Sequence, residues 1–364
     1  MYELLNKVVD YFKLRLAPER LLIRSGLTLL MLALGMSTPS IYADVVAHFS
    51  GGQFELQLFP SDPFFAGFQN FLAVLGSVLL ICGVYITARR FLDQRSRERR
   101  RINVIVEIRG LHSTPDTPAK VADLGLPIGR VHSVLIDFRP QLEGAPIDPY
   151  LVLRRIGSMK ESLLNITRGA DSDDISIAVG GIAAVPAMFL VGLLIDDESR
   201  VVVYDWQRST SRWRILDGDD DGVAIETVDF DRQESLLNKE VVLAMSASYG
   251  VDTQAIESTF PDIQVINLRS TKIQNDSFWS EEKIRRHVRG FNDTVQELQF
   301  LGVSKIHLVL AAPNSLCLRL GMSYDRRLMP ELVVYQYERK AEKPYPWGIN
   351  MPVGSMPEPT IVKS

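Results

Sequence analysis

The 364 residues carry 46% hydrophobic and 23% charged side chains at a net charge of −4, the make-up of an ordinary globular protein and not of a strongly basic nucleic-acid binder. Two cysteines, Cys82 and Cys317, exclude a disulfide framework or a zinc cluster and fit a reducing cytoplasm. The average conceals two regions, a membrane-like and basic one over residues 1 to about 100 and a soluble, acidic one long enough for one or two substantial cores.

Lys7, Lys13, Arg15, Arg20 and Arg24 come early, and no Lys or Arg then occurs until Arg89. Leu21 to Ala43, with Arg24 near its start and no charge from Ser25 on, predicts a first membrane span, and Pro39 predicts a kink or an end near Thr38. A signal peptide is the rival reading, because Ile41-Tyr42-Ala43 resembles a cleavage site. Phe64 to Thr87 has no charged side chain and no polar face, and as a helix it crosses the roughly 30 Å hydrocarbon core, which predicts a second span. Seven arginines then crowd residues 89 to 101. Positive residues flank the pair on one side only, so the pattern predicts a two-pass hairpin with both ends cytoplasmic and Asp44 to Pro63 outside. Each arginine near anionic headgroups adds about 1 kcal/mol of attraction, so the run reads as a topological lock. Ala73, Gly76, Ser77, Gly83 and Thr87 fall near one face at helical spacing, suited to close packing on the first span or on a neighbouring copy.

After the arginines, Ile102 to Ile108 alternates as a juxtamembrane strand, and His112 to Lys120 is a Thr/Pro-rich loop, so 101–130 reads as strand and linker. Strands and helices then take turns: strand 134–138, helix 149–167, strand 175–179, helix 184–194 and strand 201–204. The series restarts with strand 241–245, helix 252–258, strand 265–268, helix 281–301, strand 306–310, helix 315–322 and strand 332–337. This alternation predicts parallel-rich α/β sheets.

The restart is an internal repeat. Val202-Val203-Tyr204-Asp205-Trp206-Gln207-Arg208 before Trp213-Arg214-Ile215 matches Val333-Val334-Tyr335-Gln336-Tyr337-Glu338-Arg339 before Trp347-Gly348-Ile349. Gly192 and Gly321 precede the two copies at nearly equal distance. A duplicated α/β unit follows, with halves of about 131–216 and 239–350 and a Pro-containing tail over 351–364. Ligands of open α/β sheets lie beyond the carboxyl ends of the strands, so a pair of such units offers one composite pocket.

The stretches IHLVLAAPNSLCLRLG and LVVYQYERKAEKPYPWGIN resemble the end of SAVED domains, the cyclic-oligonucleotide sensors of bacterial CBASS antiphage systems, which look like two fused CARF-type Rossmann-like units. The resemblance covers about 131–350. With two spans ahead of it, the chain is similar to a transmembrane SAVED effector of the inner membrane. The resemblance implies a cyclic di- or trinucleotide ligand, ligand-induced homo-oligomerisation and a lipid bilayer as the target, with no DNA or RNA duplex as partner. Two other classes stay open: a membrane-anchored enzyme that cleaves the nucleotide, and a passive receptor that recruits another effector.

A cyclic oligonucleotide needs stacking for bases and donors for phosphates. The strand-to-helix loops place Phe138, Arg139, Gly180 and Gly181 in the first half, and Ser246, Ser248, Tyr249, Arg269, Lys272, Pro313, Asn314 and Ser315 in the second. Arg269 and Lys272 supply cations, Tyr249 or Trp279 a stacking surface, and the helix opening at Pro313 to Ser315 predicts a phosphate-binding N-terminus. Asp217 to Gly222 begins like a calcium loop, but Val228 stands where the bidentate Glu is required, so it reads as a solvated linker. Glu338-Arg339-Lys340 has the E-x-K spacing of restriction-type nucleases at a repeated strand end, and His112, His132, His287 and His307 lack partners at ligand spacing. The sequence therefore predicts no catalytic residue, no metal and no cofactor.

Overall fold

The computed structural model describes residues 18–35, 43–49, 52–58, 63–111, 124–140, 145–195, 200–228, 239–339, 341–354 and 358–364. The loop at 112–120, Lys340, and residues 36–42 with Thr38, Pro39, Ile41 and Tyr42 lie outside them. The chain divides into two compact units, Met1–Arg97 and Glu98–Ser364.

In the first unit, helix α1 (Pro18–Gly35) and helix α2 (Pro63–Arg100) flank a hairpin of strands β1 (Ala43–Phe49) and β2 (Gly52–Leu58), paired antiparallel from Ala43↔Leu58 to Phe49↔Gly52. Ala43 thus begins a strand and is not the end of the first span, and residues 44–49 and 52–58 of the expected outside stretch form this hairpin's strands. Among the described residues, α2 is the one helix long and apolar enough to cross a membrane. Its apolar part passes without a break into the arginine run, so six of the seven arginines are helical.

The small-residue stripe has a partner within the unit. A side chain on Gly26 or Gly76 would strike the other helix's backbone, and one on Gly83 would strike Ile23. Gln69 Nε2 donates to Ala33 O at 3.2 Å, and Arg90 pairs with Glu19 at 2.5 Å. Positions 19, 23, 26 and 33 thus meet 90, 83, 76 and 69, an antiparallel crossing. Small residues admit this approach in lipid, where packing and not the hydrophobic effect joins helices. Leu27, Met31, Leu34, Phe71, Val74, Val78 and Ile81 are left exposed.

The second unit holds two sheets. The first orders β4-β3-β5-β6-β7, from β3 (Ile102–Arg109), β4 (Arg130–Asp137), β5 (Ile175–Ile182), β6 (Arg200–Gln207) and β7 (Arg212–Ile215), with β3 to β6 parallel and β7 antiparallel to β6. The second uses β8 (Ile225–Val228), β9 (Glu240–Ser246), β10 (Val265–Ser270), β11 (Lys305–Ala311), β12 (Glu331–Gln336), β13 (Trp347–Asn350) and β14 (Thr360–Lys363), in the order β14-β13-β12-β11-β9-β10-β8. Its inner run β10-β9-β11-β12-β13 repeats the first sheet position for position. The duplication is therefore real, and the order is that of a flavodoxin-like doubly wound unit.

Two boundaries differ from the sequence reading. Strand β3 is buried along seven of its eight residues and lies between β4 and β5 in the first sheet, so the first half begins at Ile102 and the juxtamembrane strand belongs to the core of the second unit. The expected tail supplies β14, the edge of the second sheet.

Helices α3 (Pro149–Thr167) and α6 (Glu281–Phe300) correspond, as do α4 (Val185–Ile195) and α7 (Asn314–Ser323); α5 (Thr253–Thr259) lies between β9 and β10. Asp148 caps α3 through Tyr150 N, Ser280 caps α6 through Lys283 N, and Asp252 caps α5 through Ala255 N. Helix α4 is apolar all round because it is enclosed all round: nine of its eleven residues are buried. It packs on α7 by reciprocal close approach. A Cβ on Gly192 would strike Leu318 O, and one on Gly321 would strike Phe189 O, so each half lends a glycine to the other's backbone.

Candidate functional site

Carboxyl ends of strands from both sheets meet around a cavity of about 710 Å³, within the roughly 300–1,000 Å³ usual for ligand sites. The first half contributes Leu111, Ile182, Ala183 and Val185, then Asp205, Trp206 and Arg208 at the end of β6. From the second half come Ser248 and Tyr249, Ala312 to Asn314, Gln336 and the segment Asn275 to Trp279 that leads into α6.

The repeat explains the floor of the cavity. Asp205 and Gln336 hold equivalent places in the two V-V-Y motifs, and each caps the other half's helix. Asp205 Oδ2 accepts from Ser315 N at 2.9 Å, and Gln336 Oε1 accepts from Val185 N at 3.0 Å. Asn314 Nδ2 adds a bond to Gly181 O at 3.0 Å. Burial raises the Asp205 carboxyl above its ordinary pKa, against the lowering pull of its bonds from Ser315 and Trp206. The helix opening that the sequence reading reserved for a ligand phosphate thus already holds the protein's own carboxylate at Ser315 N, since an anion is stabilised there whatever its source.

The wall at Asn275 to Trp279 is held from behind. Lys283 is 1% exposed, and its Nζ donates to Asp221 at 2.7 Å, Ser277 O at 3.2 Å and Ser277 Oγ at 3.2 Å, with the Phe278 ring 4.5 Å away. Asp220 pairs with Arg286, which holds its carboxyl below the ordinary range, and Gly218 N donates to Trp279 O at 2.7 Å. The acidic loop read as a solvated linker is therefore a brace: Asp220 and Asp221 are tied to α6 and not free for a cation. Trp279 Nε1 donates to Asp276 O at 2.9 Å, and the Arg214 guanidinium lies 5.4 Å from the indole centre. Asp276 holds φ +54, a conformation Asp tolerates better than most residues.

Of the thirteen residues the sequence nominated, Ser248, Tyr249, Trp279, Pro313 and Asn314 line the cavity. Ser248 Oγ is buried with no protein partner among the described residues, and Tyr249 OH accepts from Arg208 at 3.3 Å. Ser246 serves that loop from below, its Oγ accepting from Val251 N at 3.1 Å. Ser315 is buried beneath the cavity at the start of α7.

The remaining six do other work. Phe138 is a core residue whose ring packs on Gly110, and Arg139 pairs with Asp137 at 2.6 Å. Gly180 and Gly181 lie inside β5 against Tyr204 O and Ile108 O, where a Cβ has no room. Arg269 and Lys272 are exposed at the end of β10, outside the cavity lining. Strand β10 stands two places from β11, so its carboxyl end lies to the side of the crevice.

Asp205, Trp206, Arg208, Gln336 and the segment Asn275 to Phe278 were missed. The signal for the first four was present, since they end the repeated strands, but the repeat was read for symmetry and not for what its last residues face.

Residues 160–351 match the family model described as SMODS-associated and fused to various effectors sensor domain, abbreviated SAVED. The chain belongs to the SAVED family. Residues 1–153 match the SAVED-fused 2TM effector domain, a match that takes in β3 and β4 as well as α1 and α2. No curated protein sequence matches the chain. Similar solved structures include the Acinetobacter baumannii Cap4 SAVED/CARF-domain receptor with the cyclic trinucleotide 2'3'3'-cAAA, at TM-score 0.42 and 13% identity over 80% of this chain and 61% of that one. The same receptor with 3'3'3'-cAAA gives TM-score 0.43, 13% identity and the same coverages. The Moraxella osloensis Cap4 receptor gives 0.38 and 12%, over 76% of this chain and 56% of that one. The chain thus spans less than two thirds of the length of these receptors.

Proposed function

We propose that this SAVED protein is a non-enzymatic membrane effector of a CBASS-type antiphage response, whose cytoplasmic domain binds a cyclic di- or trinucleotide in the cavity between its halves. The observation that carries the reading is the cavity's lining, set at the carboxyl ends of a duplicated sheet. Trp206, Tyr249 and Trp279 offer faces for bases, Arg208 offers a cation for a phosphate, and Ser248 Oγ is a buried hydroxyl with no protein partner among the described residues. The match to the 2TM effector family supports the second half of the reading, in which two spans cross the inner membrane with both ends cytoplasmic and ligand-driven assembly of hairpins breaks membrane integrity.

Ligand drives such assembly only by binding the assembled state more tightly than the resting one. Vesicles carrying the full chain and loaded with a self-quenched dye test this directly. A panel of synthetic cyclic di- and trinucleotides is expected to contain at least one that both raises the unfolding temperature and releases dye. Stabilisation without release would point to a passive receptor, and loss of intact ligand on incubation would point to a nucleotide-cleaving enzyme.

A further inference from the structure

The soluble unit has a pocket side and an opposite side, and α7 fixes their relation. At its start Ser315 meets Asp205 at the carboxyl end of β6; one turn on, Arg319 reaches Val201 O at the amino end of the same strand, at 3.4 Å. Helix α7 therefore runs antiparallel to β6, as it does to its own β11, so the strands of the two sheets point the same way. Their carboxyl ends line the cavity, and their amino ends form one base. The chain enters that base from α2 through Arg101, one residue before β3.

Three large apolar side chains stand out on the base: Ile128 is 72% exposed, Phe300 91% and Leu328 69%. Ile128 lies two residues ahead of β4, where Arg130 N donates to Arg101 O at 2.9 Å. Phe300 ends α6, and Leu328 belongs to the turn before β12; Gln299 Nε2 donates to Leu328 O at 2.5 Å, which sets the two near each other. Asp325 Oδ1 accepts from Arg327 N at 2.8 Å and Leu328 N at 3.2 Å, so the turn carrying Leu328 is built and its carboxylate is engaged. Exposed Arg130, Lys239 and Arg327 stand at the same strand ends, together with exposed Asp173 and Glu331.

Apolar tips accompanied by cations, at the strand ends that the chain enters from α2, fit an anionic bilayer: apolar groups enter the headgroup boundary while Lys and Arg meet the lipid phosphates. We infer that the base of the sensor unit is a membrane-docking face, in which Ile128, Phe300 and Leu328 insert and Arg130, Lys239 and Arg327 bind anionic headgroups. This rests on the membrane tether proposed above.

The test uses the full chain in nanodiscs of anionic or zwitterionic lipid, in a Cys82→Ser background, with a nitroxide on Phe300→Cys or Leu328→Cys and a control on Tyr249→Cys. Accessibility to a water-soluble relaxant is expected to fall severalfold at 300 and 328 in anionic discs only, to recover at high salt, and to stay unchanged at 249. Reversing charge at Arg130, Lys239 and Arg327 together removes the protection and leaves the chain resistant to alkaline carbonate extraction. Full accessibility at 300 and 328 in a carbonate-resistant chain overturns the docking face alone, and carbonate extraction of the parent chain overturns the tether and the face with it. Equal protection in detergent micelles that scales with protein concentration assigns the face to a second copy and overturns the lipid assignment.

Discussion

Asp205 on the last parallel strand of one half caps Ser315 on a helix of the other, at 2.9 Å, and its counterpart Gln336 returns the bond to Val185 at 3.0 Å. The two bonds lie at the floor of the cavity, so whatever fills the cavity rests on the joint between the halves. A ligand that shifts either residue acts on both helices at once, which is a physical route from binding to a change in how the halves pack.

The raised pKa of Asp205 makes a signed prediction. Its acid form is favoured more in the folded than in the unfolded protein, so the fold binds more protons between the unfolded value, about 3.9, and the higher folded one. Stability from this group therefore declines as pH rises through that window and stays lower above it. Asp205→Asn removes the titration, so the stability of wild type minus that of the variant is expected to fall across the window. Trp206, Trp213, Trp279 and Trp347 all belong to the second unit, so tryptophan fluorescence in urea at a series of pH values reports it. A flat or rising difference would contradict the assignment.

Gly192 and Gly321 are expected to be intolerant to the same degree. Alanine at either puts a Cβ against a carbonyl of the facing helix, with no flexible side chain to yield. Separating two helices packed in the interior costs about 1–3 kcal/mol. Once one alanine has parted them the second adds little, so Gly192→Ala with Gly321→Ala should cost less than the sum of the two, read as urea midpoints.

Much of this architecture was legible in the sequence because it rests on period and repetition. The alternating runs gave the parallel strands, and the V-V-Y copies gave the duplication. Strand β3 was read as a juxtamembrane strand outside the duplicated unit because its sheet partner β4 begins only at Arg130, and sheet membership is a property of pairing that no local pattern encodes. Arg269 and Lys272 were nominated for their charge and their strand-to-helix loop, and strand order put them to one side. Lys283 sits at a helix position where a lysine is ordinarily solvated, so only the fold reveals it as an internal strut. The small-residue stripe left two partners open, and the antiparallel match of Gly26 with Gly76 supplies one of them.

Lys283 and Asp221 should differ sharply when each is removed. Lys283→Met fills the space of the stem and leaves Asp221, 41% exposed, to water. Asp221→Ala instead strands an ammonium that is 1% exposed, leaving it only the Ser277 oxygens. The first is expected to cost about 1–2 kcal/mol, and the second more, up to about 3 kcal/mol. Both loosen the Ser277 to Trp279 wall, so both should also weaken binding of the cyclic nucleotide by titration calorimetry, whereas Arg285→Ala, at an exposed position of the same helix, should do neither.

Within the cavity, Trp279→Ala and Arg208→Ala separate stacking from charge. Loss of an aromatic platform costs about 1–3 kcal/mol per base, which is roughly 5- to 150-fold in affinity, and changes little with salt. Loss of a phosphate contact weakens binding and also flattens its salt dependence. Titrations at two salt concentrations distinguish them. Unchanged affinity in both variants would place the ligand elsewhere.

The junction between helix and sheet has the shortest possible form. Helix α2 ends at Arg100 and β3 begins at Ile102, with Arg101 between them already pinned: its carbonyl accepts from Arg130 N at 2.9 Å, and Gly129 lies against it with no space for a side chain. Arg100 is tied to Asp174 at 3.3 Å. An insertion there would damage the sheet, so the informative place is after Arg97, where the two compact units part. A flexible Gly/Ser linker at that point keeps both units and interrupts the helix that runs from one into the other. If movement in the sensor reaches the hairpin through this connection, the insertion should abolish ligand-triggered dye release from vesicles and leave the ligand's dissociation constant within about twofold, a shift of about 0.4 kcal/mol. Dye release at the wild-type level would show that clustering of hairpins by the soluble units suffices, and that no strain passes along the helix.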